Sequence, residues 1–242
     1  RWLATGPDVL KIFLLRSEEP GDAPSCETMG HHGLDPELVP DLVTRAHAAG
    51  LEVWAHIETA HDLEVAARAG VDGVAHLPGY QASRSEDRDR YLVADEVARL
   101  AGEAGMVVTP TVALADVVSD GDSLAARAIR DIHRANLRRL RAHGVQVLVG
   151  SDFYGRTAAY EVAALRSLGA WTDLELLRMW SRTTPQAIFP DRKIGRLEPG
   201  YEASFLALAC DPLSDWACTT RIRMRVKDGR EMAEAAGRRD WE

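Results

Sequence analysis

Short apolar runs alternate with amphipathic helical stretches along most of the chain, and that alternation restricts the fold more than any other feature. Asp8–Leu15 (DVLKIFLL), Glu52–Ile57, Gly73–Leu77, Met106–Val112 and Val145–Gly150 read as strands. Pro36–Ala49, Ala60–Ala69, Ala94–Ala104 and Ser123–His143 read as helices, with two more over Thr157–Leu168 and Asp173–Ile188. Asp35 before Pro36 is a helix start signal, and Gly50, Gly70, Gly105 and Gly144 are stops. Such alternation implies parallel βαβ units. Nearly continuous apolar strands imply a sheet covered on both faces. A TIM barrel and a doubly wound sheet both satisfy this. No GxGxxG follows a strand, which lowers the dinucleotide-binding reading.

After Phe189 the pattern changes. Gly195–Gly200 reads as a turn, Ala203–Leu208 and Ile222–Val226 as strands, and Asp228–Gly229 as a hairpin signal. No helix intervenes, so this is a small β appendage. The expected division is 1–190 for the α/β part and 191–242 for the appendage and tail.

Charge and composition narrow the partners. The 242 residues carry 29 Lys+Arg against 37 Asp+Glu, a formal net charge of −8. That excess argues against nucleic acid or anionic lipid as the main partner. A hydrophobic fraction of 46% excludes disorder as the main state. No apolar run approaches the ~20 residues of a membrane span. Three cysteines, Cys26, Cys210 and Cys218, are too few for a disulfide scaffold and lack zinc-type CxxC spacing. A small molecule or dipeptide is the expected ligand, and a homo-oligomer stays open.

In parallel α/β folds, chemistry collects at the C-terminal ends of strands. This chain places a metal-capable group there repeatedly: His56 ends VWAH, His76 ends GVAH, and Asp152 follows VLVGS. Two neutral imidazoles and a carboxylate suit zinc or a similar divalent ion, and an open coordination position can activate water. Each residue has a plainer reading as a satisfied polar group or a helix cap. Their recurrence at one topological position is harder to explain that way. Lys11, inside VLKIFLL, shares a face with Val9 and Phe13. If that face points into a barrel, the ammonium must be neutralised, modified or ligated.

Taken together, Lys11, His56 in HIETA, His76 in GVDGVAHLPG and Asp152 in GSD resemble the amidohydrolase superfamily. More narrowly, the chain is similar to its imidazolonepropionase-like and prolidase-like metal-dependent hydrolases. The tail TTPQAIFPDRKIGRLEPGYEASFLAL, then DPL and VKDGR, supports the likeness. The resemblance implies a partial (β/α)8 TIM barrel, strands four to eight, followed by the C-terminal segment of a small β-sandwich. It implies that Lys11 is carbamylated and bridges two metal ions, that His56 and His76 are ligands, and that Asp152 binds metal and shuttles the proton. It implies one or two divalent ions, zinc by preference, and hydrolysis of an amide or other C–N bond by metal-bound hydroxide. A dipeptide or N-acyl amino acid is the implied substrate. A lactone or phosphoester remains open, as does an inactive barrel that only binds a partner.

The sequence departs from the family at one important place. No His-x-His pair matches the one on the family's first strand. His31–His32 are adjacent, so on a strand they would face opposite ways. Ser204 also replaces the usual aspartate of the family's EAD motif. A whole barrel needs ~250 residues, so the expectation is that Arg1 is a cut and that earlier barrel strands precede it. Compartment, cytoplasmic or exported, is then unreadable. His31, Tyr80 and Arg84 are expected near the mouth as substrate contacts; Glu58, two residues after His56, reads either as a surface carboxylate at a helix start or as a group that assists protonation or binds a substrate amine. His61, His133 and His143 are expected on helix surfaces, and Ser83–Arg90 as a solvated loop.

Overall fold

The protein is described from a computed structural model, over residues 6–19 and 33–233. It divides into two compact units, residues 1–152 and 153–242.

The first unit is built on five parallel strands: β1 (Val9–Phe13), β2 (Glu52–His56), β3 (Gly73–Ala75), β4 (Val107–Thr109) and β5 (Gln146–Val147). They lie side by side in chain order, β1-β2-β3-β4-β5. A doubly wound sheet reverses its order at a switch point; this one never does. Right-handed crossovers in an unreversed sheet put every helix on the same face, which is the winding of a (β/α) barrel. The crossovers carry α1 (Val39–Ala48), α2 (Ala60–Ala69), α3 (Asp95–Glu103), the short α4 (Leu114–Val118) and the long α5 (Ser123–Ala142).

One sheet face is closed. Ile12, Leu14, Val53, Ala55, Ile57, Val74, Val108 and Val147 are all buried. Val43 and Ala46 of α1, Leu63 and Ala66 of α2, Ala98 and Ala101 of α3, and Ile129 and Leu137 of α5 are buried with them. The apolar content of the strands therefore comes largely from this face. Register puts the other face together: Lys11 pairs Trp54, Trp54 pairs Gly73, Gly73 pairs Val107, and Phe13 pairs His56. At β1 this second face is not covered in the way the apolar strands suggested, while Trp54, Gly73 and Val107 further along it are buried or half-buried. Val9 is 42% and Phe13 53% exposed, and Lys11 between them is exposed too.

Several local signals act as the sequence implies. Asp35 caps the 3-10 turn Pro36–Leu38 by accepting from the Glu37 N–H. Thr59 and Asp62 form a reciprocal capping box on α2, and Gly70 ends that helix at φ 78°. Strand lengths are shorter than the apolar runs, because only the central residues of each run pair.

The second unit opens with α6 (Ala158–Ser167) and α7 (Asp173–Arg178), continued by a π turn over Met179–Thr183 into α8 (Thr184–Ile188). It ends in an antiparallel sheet of β6 (Phe205–Leu208), β7 (Ile222–Lys227) and β8 (Arg230–Glu231). Asp228 and Gly229, both at positive φ, make the two-residue hairpin between Lys227 and Arg230. Cys210 and Cys218, eight residues apart, form a disulfide across the segment between β6 and β7. Nothing in the cysteine count had pointed to it. Among the described residues, no helix is long and apolar enough to cross a membrane.

Candidate active site

The C-terminal ends of the strands are conformationally unusual. Arg16 after β1, His76 after β3, Thr111 after β4 and Asp152 after β5 all have positive φ without being glycine. Such backbone costs on the order of 1–3 kcal/mol per residue and tends to gather at functional sites. Four instances along one sheet edge mark that edge as the place where side chains are aimed.

His56 and His76 meet there, with ring centroids 4.5 Å apart and planes at 69°. The His76 N–H donates to Thr109 O (2.8 Å), which fixes its backbone against β4. Its Nδ1 lies 2.7 Å from Thr111 Oγ1, and its Nε2 lies 3.6 Å from Asp152 Oδ2. Tyr80 completes the arrangement, with its hydroxyl 2.5 Å from Thr111 O and 2.9 Å from Thr111 Oγ1. The Tyr80 proton goes to Thr111 O, the shortest of its contacts. The Thr111 proton goes to Pro110 O at 2.8 Å. Thr111 Oγ1 is then left to accept from His76 Nδ1–H, so the His76 lone pair is on Nε2, toward Asp152.

Electrostatics keep both imidazoles neutral. Burial pushes His76 down to about 3, helped by His56 and Lys11. His56 is lowered by burial first and by the Lys11 charge second, against Asp62 and Asp152. Lys11 is exposed as a residue, yet partial desolvation lowers its ammonium, with Asp152 opposing. Glu58 is raised, mainly by burial.

A cavity of ≈ 270 Å³ opens at these groups, lined by His56, Glu58, His76, Tyr80, Leu114 and Asp152 among others. That is close to the lower end for small-molecule sites. Of the residues expected from sequence, His56, His76, Asp152 and Tyr80 come together here. Lys11 stands on the same sheet face, two register pairs before His56. Arg84 does not join them; it is exposed, with its N–H turned back to Gln81 O. His31 lies outside the described residues. Glu58 lines the cavity although sequence reasoning ranked it low.

Supporting residues were missed. Thr111 was hidden because its role depends on a neighbour 35 positions away. Asp62 is fully buried and accepts from Arg16 N, Ser17 N, Ser17 Oγ, Glu58 N and Thr59 N at 2.6–3.2 Å. It ties the segment after β1 to the start of α2. Arg90, expected in a solvated loop, pairs with Glu18 and Glu19 at 2.5 and 2.6 Å. His133 is a correction. It was expected on a surface and is fully buried on α5, its ring 4.8 Å from that of Tyr80.

The donor set suits a divalent ion in kind: two neutral imidazoles, one with its second nitrogen anchored, and an accessible carboxylate. As placed, no three His, Cys, Asp or Glu side chains among the described residues form a group that could hold an ion.

Comparison with known proteins agrees with the geometry. The Amidohydrolase family model matches residues 28–232. The chain is 25% identical over 190 residues to ochratoxinase of Aspergillus niger, a match covering 74% of this chain and 37% of that protein. The crystal structure of A. niger ochratoxinase superposes with a TM-score of 0.70 at 21% identity, covering 95% of this chain and 51% of that one. A Xaa-Pro dipeptidase with methionine bound in its active site gives a TM-score of 0.70 at 19% identity, covering 95% and 55%. The chain thus spans 37% of the curated relative it matches and little more than half of these solved structures.

Proposed function

The chain belongs to the amidohydrolase family, and from that premise we propose that its first unit carries a metal-dependent hydrolytic centre for an amide or other C–N bond. A dipeptide or N-acyl amino acid is the proposed substrate. The relatives named as a dipeptidase and an ochratoxinase support that choice. One observation carries the reading: His56, His76 and Asp152 converge on one cavity with the His76 tautomer set by Thr111.

In this account β1 to β5 correspond to strands four to eight of an eight-stranded barrel. His56 and His76 would hold a divalent ion, zinc by preference, once the exposed Asp152 side chain, which as placed does not form a three-ligand group with them, closes on it. Lys11 would join them as a carbamate, and its lowered ammonium pKa favours the free amine that reacts with carbon dioxide. When bound, the ion supplies Lewis acidity and makes a water nucleophilic near neutral pH.

The chain's own residues do the rest. Asp152 accepts the proton of the attacking water and returns it to the leaving nitrogen. Its exposed carboxylate reaches solvent and the His76 ring alike. Thr111 and Tyr80 hold His76 in place, so that no reorientation is needed during the reaction. The test is hydrolysis of a panel of dipeptides and N-acyl amino acids. Asp152→Asn is expected to lower kcat by at least about 100-fold, with circular dichroism unchanged. An unaltered rate in that variant would refute the role.

A further inference from the structure

Glu58 lines the cavity with a carboxylate that, among the described residues, is neither hydrogen-bonded nor in a salt bridge. It follows His56 by two residues, in the link between β2 and the cap of α2. Its N–H is held by Asp62 Oδ2 at 2.9 Å, so the backbone is fixed and the side chain lines the cavity beside His56 and His76. Among the described residues, its carboxylate makes no hydrogen bond and no ion pair. The charges of Arg16 and Arg90 act on Glu58 from a distance and offset part of its burial, but each is hydrogen-bonded or paired elsewhere. Arg90 is bound by Glu18 and Glu19, and Arg16 approaches Glu19 at 3.5 Å. The backbone N–H groups of Arg16, Ser17, Glu58 and Thr59 all go to Asp62. A half-buried carboxylate that faces a cavity and accepts no hydrogen bond from the protein is open to a donor arriving from outside.

The wall beyond it is apolar. Leu114 and Val118 of α4 line the same cavity. Alanine-sized or larger side chains would rest there, next to a negative group.

We propose that Glu58 is the specificity residue of this site, receiving the ammonium of a substrate with a free α-amino group whose apolar side chain lies against Leu114 and Val118. This deepens the hydrolase reading and rests on it for the identity of the cavity. It selects unblocked dipeptides or aminoacyl amides over N-acyl amino acids. An ammonium offers three donors in a compact head, which a lone carboxylate at a cavity wall can meet. An acylated nitrogen would leave that charge unmatched.

Binding, measured apart from turnover, tests it. The probes are L-leucinol and 4-methylpentane-1,2-diol, which carry no hydrolysable amide and differ only in an ammonium for a hydroxyl, titrated calorimetrically at pH 7 into the metal-loaded protein. Wild type is expected to bind the free amine at least about tenfold more tightly. Glu58→Gln should erase that preference, and Glu58→Asp should keep part of it, which separates lost charge from lost fold. Equal or absent binding of the amine in wild type would overturn the proposal, as would a Glu58→Gln variant that keeps the preference. An amine preference that depends on Glu58, in a protein that hydrolyses nothing in the panel, would uphold this proposal and count against the hydrolase reading alone.

Discussion

Thr111 determines which nitrogen His76 offers to the cavity. Its hydroxyl sits 2.7 Å from Nδ1, and its backbone is held in a positive-φ conformation. Removing that hydroxyl frees the ring to rotate or change tautomer. Thr111→Val should therefore weaken zinc binding about 10–100-fold, as read by competition with a chromophoric chelator, while Thr111→Ser restores it. Equal affinity in all three proteins would contradict the tautomer argument. His133 makes a different residue-scale prediction. Both its ring nitrogens are buried without a hydrogen-bond partner among the described residues, and burial pushes it down to about 3. Unfolded, it would take a proton near 6.5. Between those values the unfolded chain binds the extra proton, so stability rises with pH and is lost as pH falls from about 6.5 toward 3. At about 1.4 kcal/mol per unit, the loss from this group by pH 4 is up to about 3 kcal/mol. His133→Leu should flatten the acid limb in denaturant titrations and cost little at pH 7, because an apolar group leaves no orphaned nitrogen. A variant as acid-sensitive as wild type would contradict this.

At the scale of elements, the sequence carried much of the placement. His56 and His76 were legible because each closes an apolar run, and strand ends are where a parallel sheet collects chemistry. The burial of His133 was also written in the pattern. Ala126, Ile129, His133, Leu137 and Leu140 form one helical stripe, and all are buried. That spacing places the histidine in the core despite the usual exposure of its residue type. Thr111 and the free carboxylate of Glu58 were not legible, since both depend on what adjacent strands and loops bring near. Asn136 shows the same limit. Buried on α5, it accepts from Val93 N at 2.9 Å and donates to Tyr91 O at 2.8 Å and Pro78 O at 3.3 Å. In that way it clamps both ends of the loop that carries Tyr80. The second sheet face holds a steric pair. A Cβ added at Gly73 would come within 2.7 Å of the Trp54 ring. Gly73→Ala should thus cost about 1–3 kcal/mol in urea unfolding, and Trp54→Ala in the same chain should remove most of that penalty. An additive double variant would show that the ring gives way freely.

On the scale of the molecule, strand order made the decision that periodicity left open. Alternating strands and helices fit two architectures, and only the unreversed order β1 to β5 selects barrel-type winding. The disulfide between Cys210 and Cys218 stayed hidden for a related reason: a pair eight residues apart is visible only once β6 and β7 define the segment between them. The central claim is that His56, His76 and Asp152 form a metal-dependent centre, and metal retention tests it most directly. The purified protein, loaded with zinc and dialysed, is to be compared by elemental analysis with a His56→Ala, His76→Ala double variant of matched circular dichroism. The account predicts at least one zinc per chain in the wild type and essentially none in the variant. Equal zinc in the two proteins, or none in the wild type, would contradict it.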